Sequence, residues 1–110
     1  MIKENLIHHR DPEPFENIRK GLKKMEIRLF DEKRQKIKIG DVIKIINKED
    51  NSQVLFTKVI RLSRFSSFEK LFEVFGNKIK DYEKEILKKV YSKEKEEKYG
   101  ILAIHFELIE

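Results

Sequence analysis

The 110-residue chain contains no cysteine, which excludes disulfide bonds, thiolate metal ligands and a cysteine nucleophile. No apolar run approaches the roughly 20 residues that a membrane-spanning helix requires, and residues 1–10 are too polar for a signal peptide. There is no Pro/Ser-rich linker and no internal repeat, so nothing marks a domain boundary. These absences predict one soluble, cytoplasmic domain that spans residues 1–110 and has no membrane partner.

Hydrophobic residues make up 39% of the chain and include eight phenylalanines, which is enough for one core. Charged residues make up 41%, and the formal net charge is +5. Residues 16–38 hold nine basic and four acidic side chains, so the positive excess lies in the first third of the chain. This distribution favours an anionic partner, and the alternative is a solvated surface of lysine and glutamate without a function.

The apolar spacing predicts an α+β fold, because helices gather in two places instead of alternating with every strand. Helices are predicted at residues 11–21, 66–75, 81–90 and 92–99. Strands are predicted at residues 24–29, 42–47, 53–62 and 101–109, with an edge strand within residues 1–9 and a bulge near residues 58–60. The last strand can return to the first ones and close a small barrel.

Several helix ends carry capping signals. Asp11 is predicted to cap the first helix with its side chain, and Pro12 fits the first helical position. Gly21 stands where a left-handed residue would end that helix. Ser66 and Glu69 have the spacing of a capping box.

The densest group of reactive side chains follows Gly21. Lys24, Glu26 and Arg28 are expected on one face of a half-buried strand because side chains alternate, while Lys23 lies in the preceding turn. Arg28 can hold Glu26 ionised or bind a phosphate with two donors. Lys23, if desolvated near Arg28, could act as a base or nucleophile. The alternative is an exposed polar strand face with an incidental ion pair.

Other candidates are more isolated. Lys33 and Arg34 belong to a basic loop, residues 31–38, that could follow a phosphate backbone without selecting bases. Tyr91 could stack on a base or pack helix against sheet, and Ser92 is expected to cap a helix rather than to act as a nucleophile. His8 and His9 point opposite ways on a strand, which suits shared coordination poorly, so no metal and no cofactor is predicted. His105 could face a cleft or solvent.

Gly21, Lys23, Glu26 and Arg28 form the pattern G-x-K-x-x-E-x-R, which resembles the signature of the ASCH domain. Residues 31–34, 39–41, 64–69, 91–93 and 99–101 also resemble segments of small bacterial and archaeal ASCH proteins, in the expected order. The resemblance implies a PUA-like pseudo-barrel with helices covering one opening and a cleft lined by the signature residues. With it, the candidate ligand-binding residues are the following: Lys23, Lys24, Glu26, Arg28, Lys33, Arg34, Arg64, Tyr91 and Ser92.

The resemblance also implies a role in RNA-linked processes. One similar branch hydrolyses the amide of N4-acetylcytidine with a catalytic lysine at the position of Lys23, a threonine at the position of Glu26, and a later glutamate for which Glu94 and Glu96 are candidates. Three hypotheses follow: an RNA- or nucleotide-binding domain, an amidohydrolase that uses Lys23 and Glu26, and a protein-docking adaptor. Binding of RNA or a nucleoside-like ligand by a monomer is the favoured interpretation.

Overall fold

The computed structural model describes residues 6–109, so residues 1–5 of the predicted edge strand lie outside the described residues. Within this range the helices are α1 Pro12–Arg19, α2 Phe68–Phe75, α3 Asp81–Val90 and α4 Lys93–Tyr99. The strands are β1 Ile7–Arg10, β2 Met25–Leu29, β3 Val42–Asn47, β4 Asp50–Phe65 and β5 Ile101–Ile109. The predicted α+β class is confirmed.

The five strands form one curled sheet in the order β1-β3-β4-β5-β2, which makes a half-barrel. β1 runs parallel to β3, and the other neighbours are antiparallel. The register between β4 and β5 shifts between Val59 and Arg61, so the predicted irregularity is present. β1 and β2, which frame the first helix in the sequence, therefore become opposite edges of the sheet.

Each face of the sheet carries its own core. The face that we call concave packs Ile43, Ile45 and Val59 against Phe15 and Ile18 of α1. The face that we call convex is covered by α2, and its core contains the following side chains: Ile27, Leu29, Phe68, Leu71, Phe75, Ile79, Ile101 and Ala103. Because β2 and β5 contribute to both faces, the strand that carries the signature is enclosed on two sides.

That enclosure corrects the prediction of a half-buried strand with an exposed polar face. Glu26 is only 4% exposed, since its side chain lies on the concave face opposite Ile104. Lys24 precedes β2 and is exposed, so it does not share the environment of Glu26 and Arg28. β4 is also longer than predicted and leaves only a tight turn after β3.

Two predicted caps are wrong. Asp11 is the residue before α1 but makes no side-chain capping hydrogen bond, and its carboxylate lies 3.8 Å from Lys48 Nζ instead. The cap of α2 is Ser67, not Ser66, because β4 continues through Phe65 and delays the helix by one residue; Ser67 Oγ accepts from the Lys70 amide at 3.2 Å. The predicted Ser92 cap of α4 is confirmed. No helix in residues 6–109 is both long and apolar enough to span a membrane.

Candidate functional site

The turn between α1 and β2 presents the signature. The amides of Leu22 and Lys23 both donate to the carbonyl of Asn17, at 2.8 and 3.0 Å, which folds the chain back on the end of α1. Gly21 has φ of 76°, a conformation that a side chain would strain, so the signature glycine is required for this reversal. The turn leaves Lys23 beside the first residues of β2.

Three cationic side chains converge on the Glu26 carboxylate. Arg10 Nε lies 3.0 Å and Lys23 Nζ 3.6 Å from Oε1, and an Arg28 terminal nitrogen lies 3.1 Å from Oε2. We call these four residues the Glu26 cluster. Its members differ in exposure, since the side chains of Arg10, Arg28 and Lys23 are 13%, 19% and 28% exposed. Glu26 is therefore the buried centre, and Lys23 and Arg28 reach the surface.

The cluster also joins the two edges of the sheet. Arg10 is the last residue of β1, and Glu26 belongs to β2 at the opposite edge. Their contact at 3.0 Å shows that the sheet curls until its edge strands approach each other. The remaining guanidinium nitrogens of Arg10 contact the His9 carbonyl at 2.7 Å and His8 Nδ1 at 3.3 Å. These two contacts hold the Arg10 guanidinium in place beside Glu26.

The cations decide the charge of Glu26. Burial is the largest single effect and would raise the pKa of this carboxyl. The nearby charges of Arg28, Arg10 and Lys23, together with the Arg10 hydrogen bond, outweigh burial and lower the pKa of Glu26 from 4.5 to about 2. One carboxylate thus faces three cations at neutral pH, and the cluster keeps a positive excess.

Arg34 extends the positive region. Burial lowers the pKa of Arg10 most, Glu26 opposes that change, and the charges of Arg28 and Arg34 add to it. Arg34 is held by Asp31, whose carboxylate accepts from its backbone amide at 3.1 Å and its side chain at 3.0 Å. Arg34 Nε is buried and has no hydrogen-bond partner among residues 6–109.

Arg64 lies on the same face, two strands away from Arg28. Both residues pair with Leu102 in the sheet register, Arg64 from β4 and Arg28 from β2. The Arg64 guanidinium stacks over the Phe30 ring, with its central carbon 3.9 Å from the ring centroid. Arg64 also lines an open groove of about 420 Å³ that continues to Tyr99 and Gly100.

The structure therefore brings together Lys23, Glu26 and Arg28, with Arg34 and Arg64 on the same side. Lys24 and Lys33 are exposed outside the Glu26 cluster. Tyr91 stacks on Phe68 with ring centroids 5.8 Å apart and belongs to the convex core, which matches the packing alternative. Ser92 accepts a hydrogen bond from the Lys95 amide as the cap of α4.

Sequence reasoning missed Arg10. The predicted edge strand ended one residue earlier, and no local pattern links Arg10 to a side chain 16 positions later. The usable signal was indirect: a buried carboxylate needs cationic partners, and barrel closure brings the first strand toward the signature strand. Glu96 is buried as well, but its Oε1 accepts from the Phe68 amide at 2.8 Å, far along the chain from the signature. No trio of His, Asp or Glu side chains within residues 6–109 could hold a metal ion.

The chain belongs to the ASCH domain family, since residues 9–110 match the ASCH domain model. It is similar to the hypothetical protein PH0355, whose crystal structure aligns with 35% identity and a TM-score of 0.76 over 94% of this chain and 97% of that one. Protein PF0455 from Pyrococcus furiosus, solved by NMR, aligns with 32% identity and a TM-score of 0.74 over 94% and 96%.

A more distant structure shows the shared fold alone. A single-residue mutant of the protein ZmASCH from Zymomonas mobilis aligns with 15% identity and a TM-score of 0.61 over 92% of this chain and 67% of that one. Comparison with curated proteins found no match. The resemblance that the signature carried is confirmed, and the architecture is PUA-like.

Proposed function

We propose that the protein binds RNA through the Glu26 cluster. The proposal is carried by one observation: three cationic side chains surround a single buried carboxylate, so positive charge remains for an anionic ligand. Family membership supports the same class of partner, because the ASCH resemblance implies RNA-linked processes. The phosphate backbone is the group in RNA that such a charge excess attracts.

The exposures within the Glu26 cluster support a division of roles. Arg10 and Glu26 are the least exposed and form the support that joins the sheet edges. Arg28 donates to the Ile27 carbonyl at 2.7 Å and forms an ion pair with Glu26 at 3.1 Å, and the two contacts together orient its guanidinium. A fixed guanidinium offers its remaining donors to a phosphate in a defined direction, whereas the more exposed Lys23 adds a mobile point charge.

Arg34 and Arg64 widen the proposed contact surface. Arg34, which Asp31 holds in place, adds a further cation beside Arg10. Arg64 and Phe30 stack beside the open groove, and such flat groups suit contacts with bases or riboses. Together these residues offer several cations and one arginine–phenylalanine stack on a single side of the molecule, which suits a short stretch of single-stranded RNA.

The test is fluorescence anisotropy with labelled single-stranded RNA of about 10 nucleotides, at several salt concentrations. We expect affinity to fall steeply with salt. Arg28→Ala should weaken binding by about tenfold and reduce the slope of log K against log salt by roughly 0.7, which corresponds to one lost phosphate contact. Lys23→Ala should have the same direction and a smaller effect, since its side chain is more exposed and mobile.

Lys89→Ala is the matched control because it removes one exposed cation from α3 without touching the Glu26 cluster. Its affinity and salt slope should equal those of the unmodified protein. Thermal melts confirm that all variants are folded. If Arg28→Ala and Lys23→Ala bind RNA as tightly as the Lys89 control, the Glu26 cluster is not the binding site.

An amidohydrolase is the second proposal because Lys23 stands at the position of the catalytic lysine in the similar branch and its side chain is 28% exposed, so a substrate can reach it. This proposal predicts release of acetate from N4-acetylcytidine, and no release by the unmodified protein would reject it. Turnover that disappears in Lys23→Ala would replace RNA binding as the primary function.

A further inference from the structure

A second group of polar side chains lies on the convex face, where the register of β4 shifts. Ser63 Oγ and His105 Nε2 are 3.1 Å apart and join β4 to β5. Arg61 stands directly opposite His105 in the register that follows the shift after Val59. Because the register shift sets this pairing, a guanidinium, a hydroxyl and an imidazole point to the same side of the sheet.

One aromatic ring supports the group from the end of α2. The Phe75 ring centroid lies 5.1 Å from that of His105, 5.8 Å from the Arg61 guanidinium carbon and 6.0 Å from Lys78 Nζ. Lys78 comes from the short 3₁₀ turn that follows α2. Within residues 6–109, neither Arg61 nor Lys78 forms an ion pair with a carboxylate, so both positive charges are uncompensated there.

The imidazole responds to these charges. Burial lowers the pKa of His105, and Arg61 and Lys78 lower it further. β2 presents Met25 opposite His105, and α2 presents Phe75; Glu107, the next residue on this face of β5, stands opposite Lys58. A group that carries negative charge between the two cations would therefore stabilise them and would favour protonation of His105 at the same time.

We propose that Arg61, Lys78, Ser63 and His105 form a second anion-binding site, which takes a phosphate group. Arg61 supplies a planar set of donors, Lys78 a point charge, and Ser63 a hydroxyl donor. His105 gains a proton when the anion arrives and becomes a further donor. Two fixed charges, a hydroxyl and a chargeable imidazole suit a dianion with several acceptor oxygens better than a carboxylate, which has two.

This site is distinct from the Glu26 cluster. It faces the opposite side of the sheet, because His105 pairs with Met25, whereas Glu26 pairs with Ile104. No residue is common to the two sites. The two proposals can therefore be tested separately. Arg28→Ala should leave anion binding at the second site intact, and a variant of Arg61 should leave the Glu26 cluster unchanged.

The experiment uses sulfate as the probe, because its charge does not change between pH 5 and 8. The proton resonances of His105 are followed by NMR as pH varies, at constant ionic strength, in chloride and in sulfate. We expect sulfate to raise the pKa of His105 by at least half a unit and to shift its resonances with a saturable dependence on concentration. Sulfate should also bind more tightly at pH 5.5 than at pH 7.5, by linkage.

Variants connect the effect to the four side chains. Arg61→Gln and Lys78→Gln should each weaken sulfate binding at least fivefold, and Ser63→Ala about twofold, while the exposed control Lys89→Gln should leave it unchanged. NMR spectra report directly whether each variant is folded. An equal pKa of His105 in sulfate and chloride, or shifts that never saturate, would overturn the proposal.

A last comparison identifies the source of the phosphate. A 5′-phosphorylated trinucleotide carries a terminal monoester, and its 5′-hydroxyl form carries only internal diesters. We expect the phosphorylated form to shift His105 at lower concentrations. Equal shifts by both forms would contradict the preference for a dianion, and the absence of any shift with either form would contradict binding of a phosphate group.

Discussion

Glu26 and Glu96 are both buried carboxylates, and their surroundings differ in kind. Glu26 is 4% exposed on β2 and contacts three cationic side chains. Glu96 is 9% exposed on α4, and its Oε1 accepts from the backbone amide of Phe68, the first residue of α2. One carboxylate is surrounded by more positive charge than it can neutralise, and the other is satisfied by the end of a helix.

This difference distinguishes the structural contact of Glu96 from the candidate binding site around Glu26. The Phe68 amide lies in the first turn of α2 and has no partner within that helix, so the Glu96 contact satisfies it and joins two helices. The cations around Glu26 retain unused donors and charge, so a ligand can be added without breaking the existing ion pairs. The same residue type in the same state of burial thus indicates structure in one region and recognition in the other.

The largest expected effect is the loss of Glu26. Glu26→Ala leaves Arg10, Lys23 and Arg28 close together without their counter-charge, and removal of one partner from a buried ion pair costs about 3–5 kcal/mol. Urea denaturation at pH 7 measures the free energy of unfolding. Glu73→Ala on the exposed side of α2 is the control and should change it by less than about 0.5 kcal/mol. Equal stability of the two variants would mean that the cluster is not a coupled network.

Acid should remove most of the same stabilisation. The pKa of Glu26 is lowered from 4.5 to about 2 in the folded protein, so its contribution is complete above pH 4.5 and is lost as pH falls toward 2. The contribution at neutral pH is about 3 kcal/mol. The difference in unfolding free energy between the unmodified protein and Glu26→Gln should therefore shrink between pH 5 and pH 2. A difference that is constant over this range would show that Glu26 has an ordinary pKa.

The sequence predicted that Lys23, Glu26 and Arg28 lie close together because the signals for this arrangement are local. Gly21, the alternation along β2 and the spacing of Lys23, Glu26 and Arg28 all lie within eight residues, so the Gly21 turn and the strand together bring these side chains close. The burial of Glu26 was not predicted, because it depends on α1 and on the curl of the sheet. Binding of a ligand by these residues stays a prediction.

Contacts between distant segments of the chain could not be predicted from local sequence patterns. Arg10 reaches Glu26 only because the edge strands approach across the barrel, a contact between residues 16 positions apart. Glu96 reaches Phe68 over 28 positions. The cap of α2 is Ser67 and not the predicted Ser66 because cross-strand pairing extends β4 to Phe65. That pairing depends on tertiary structure, which residue propensities do not report.

Loss of Glu96 should cost less than loss of Glu26. Glu96→Ala leaves the buried Phe68 amide without an acceptor, and we expect a decrease of about 2 kcal/mol in the free energy of unfolding. Glu97→Ala, an exposed neighbour on α4, is the control and should change stability little. RNA affinity should be unchanged in Glu96→Ala at temperatures where it is folded. A loss of binding equal to that of Arg28→Ala would place Glu96 in the recognition surface.

The smallest expected effect concerns the second acceptor at the same helix end. Ser67 Oγ accepts from the Lys70 amide, so Ser67→Ala should cost about 1 kcal/mol, whereas Ser66→Ala should cost almost nothing. Because Ser67 and Glu96 satisfy different amides of one helix end, fraying of α2 after either substitution releases both amides, so the double variant should lose less than the sum of the single losses. Strict additivity would show that each acceptor acts alone, and that Glu96 stabilises a single amide and not the helix end.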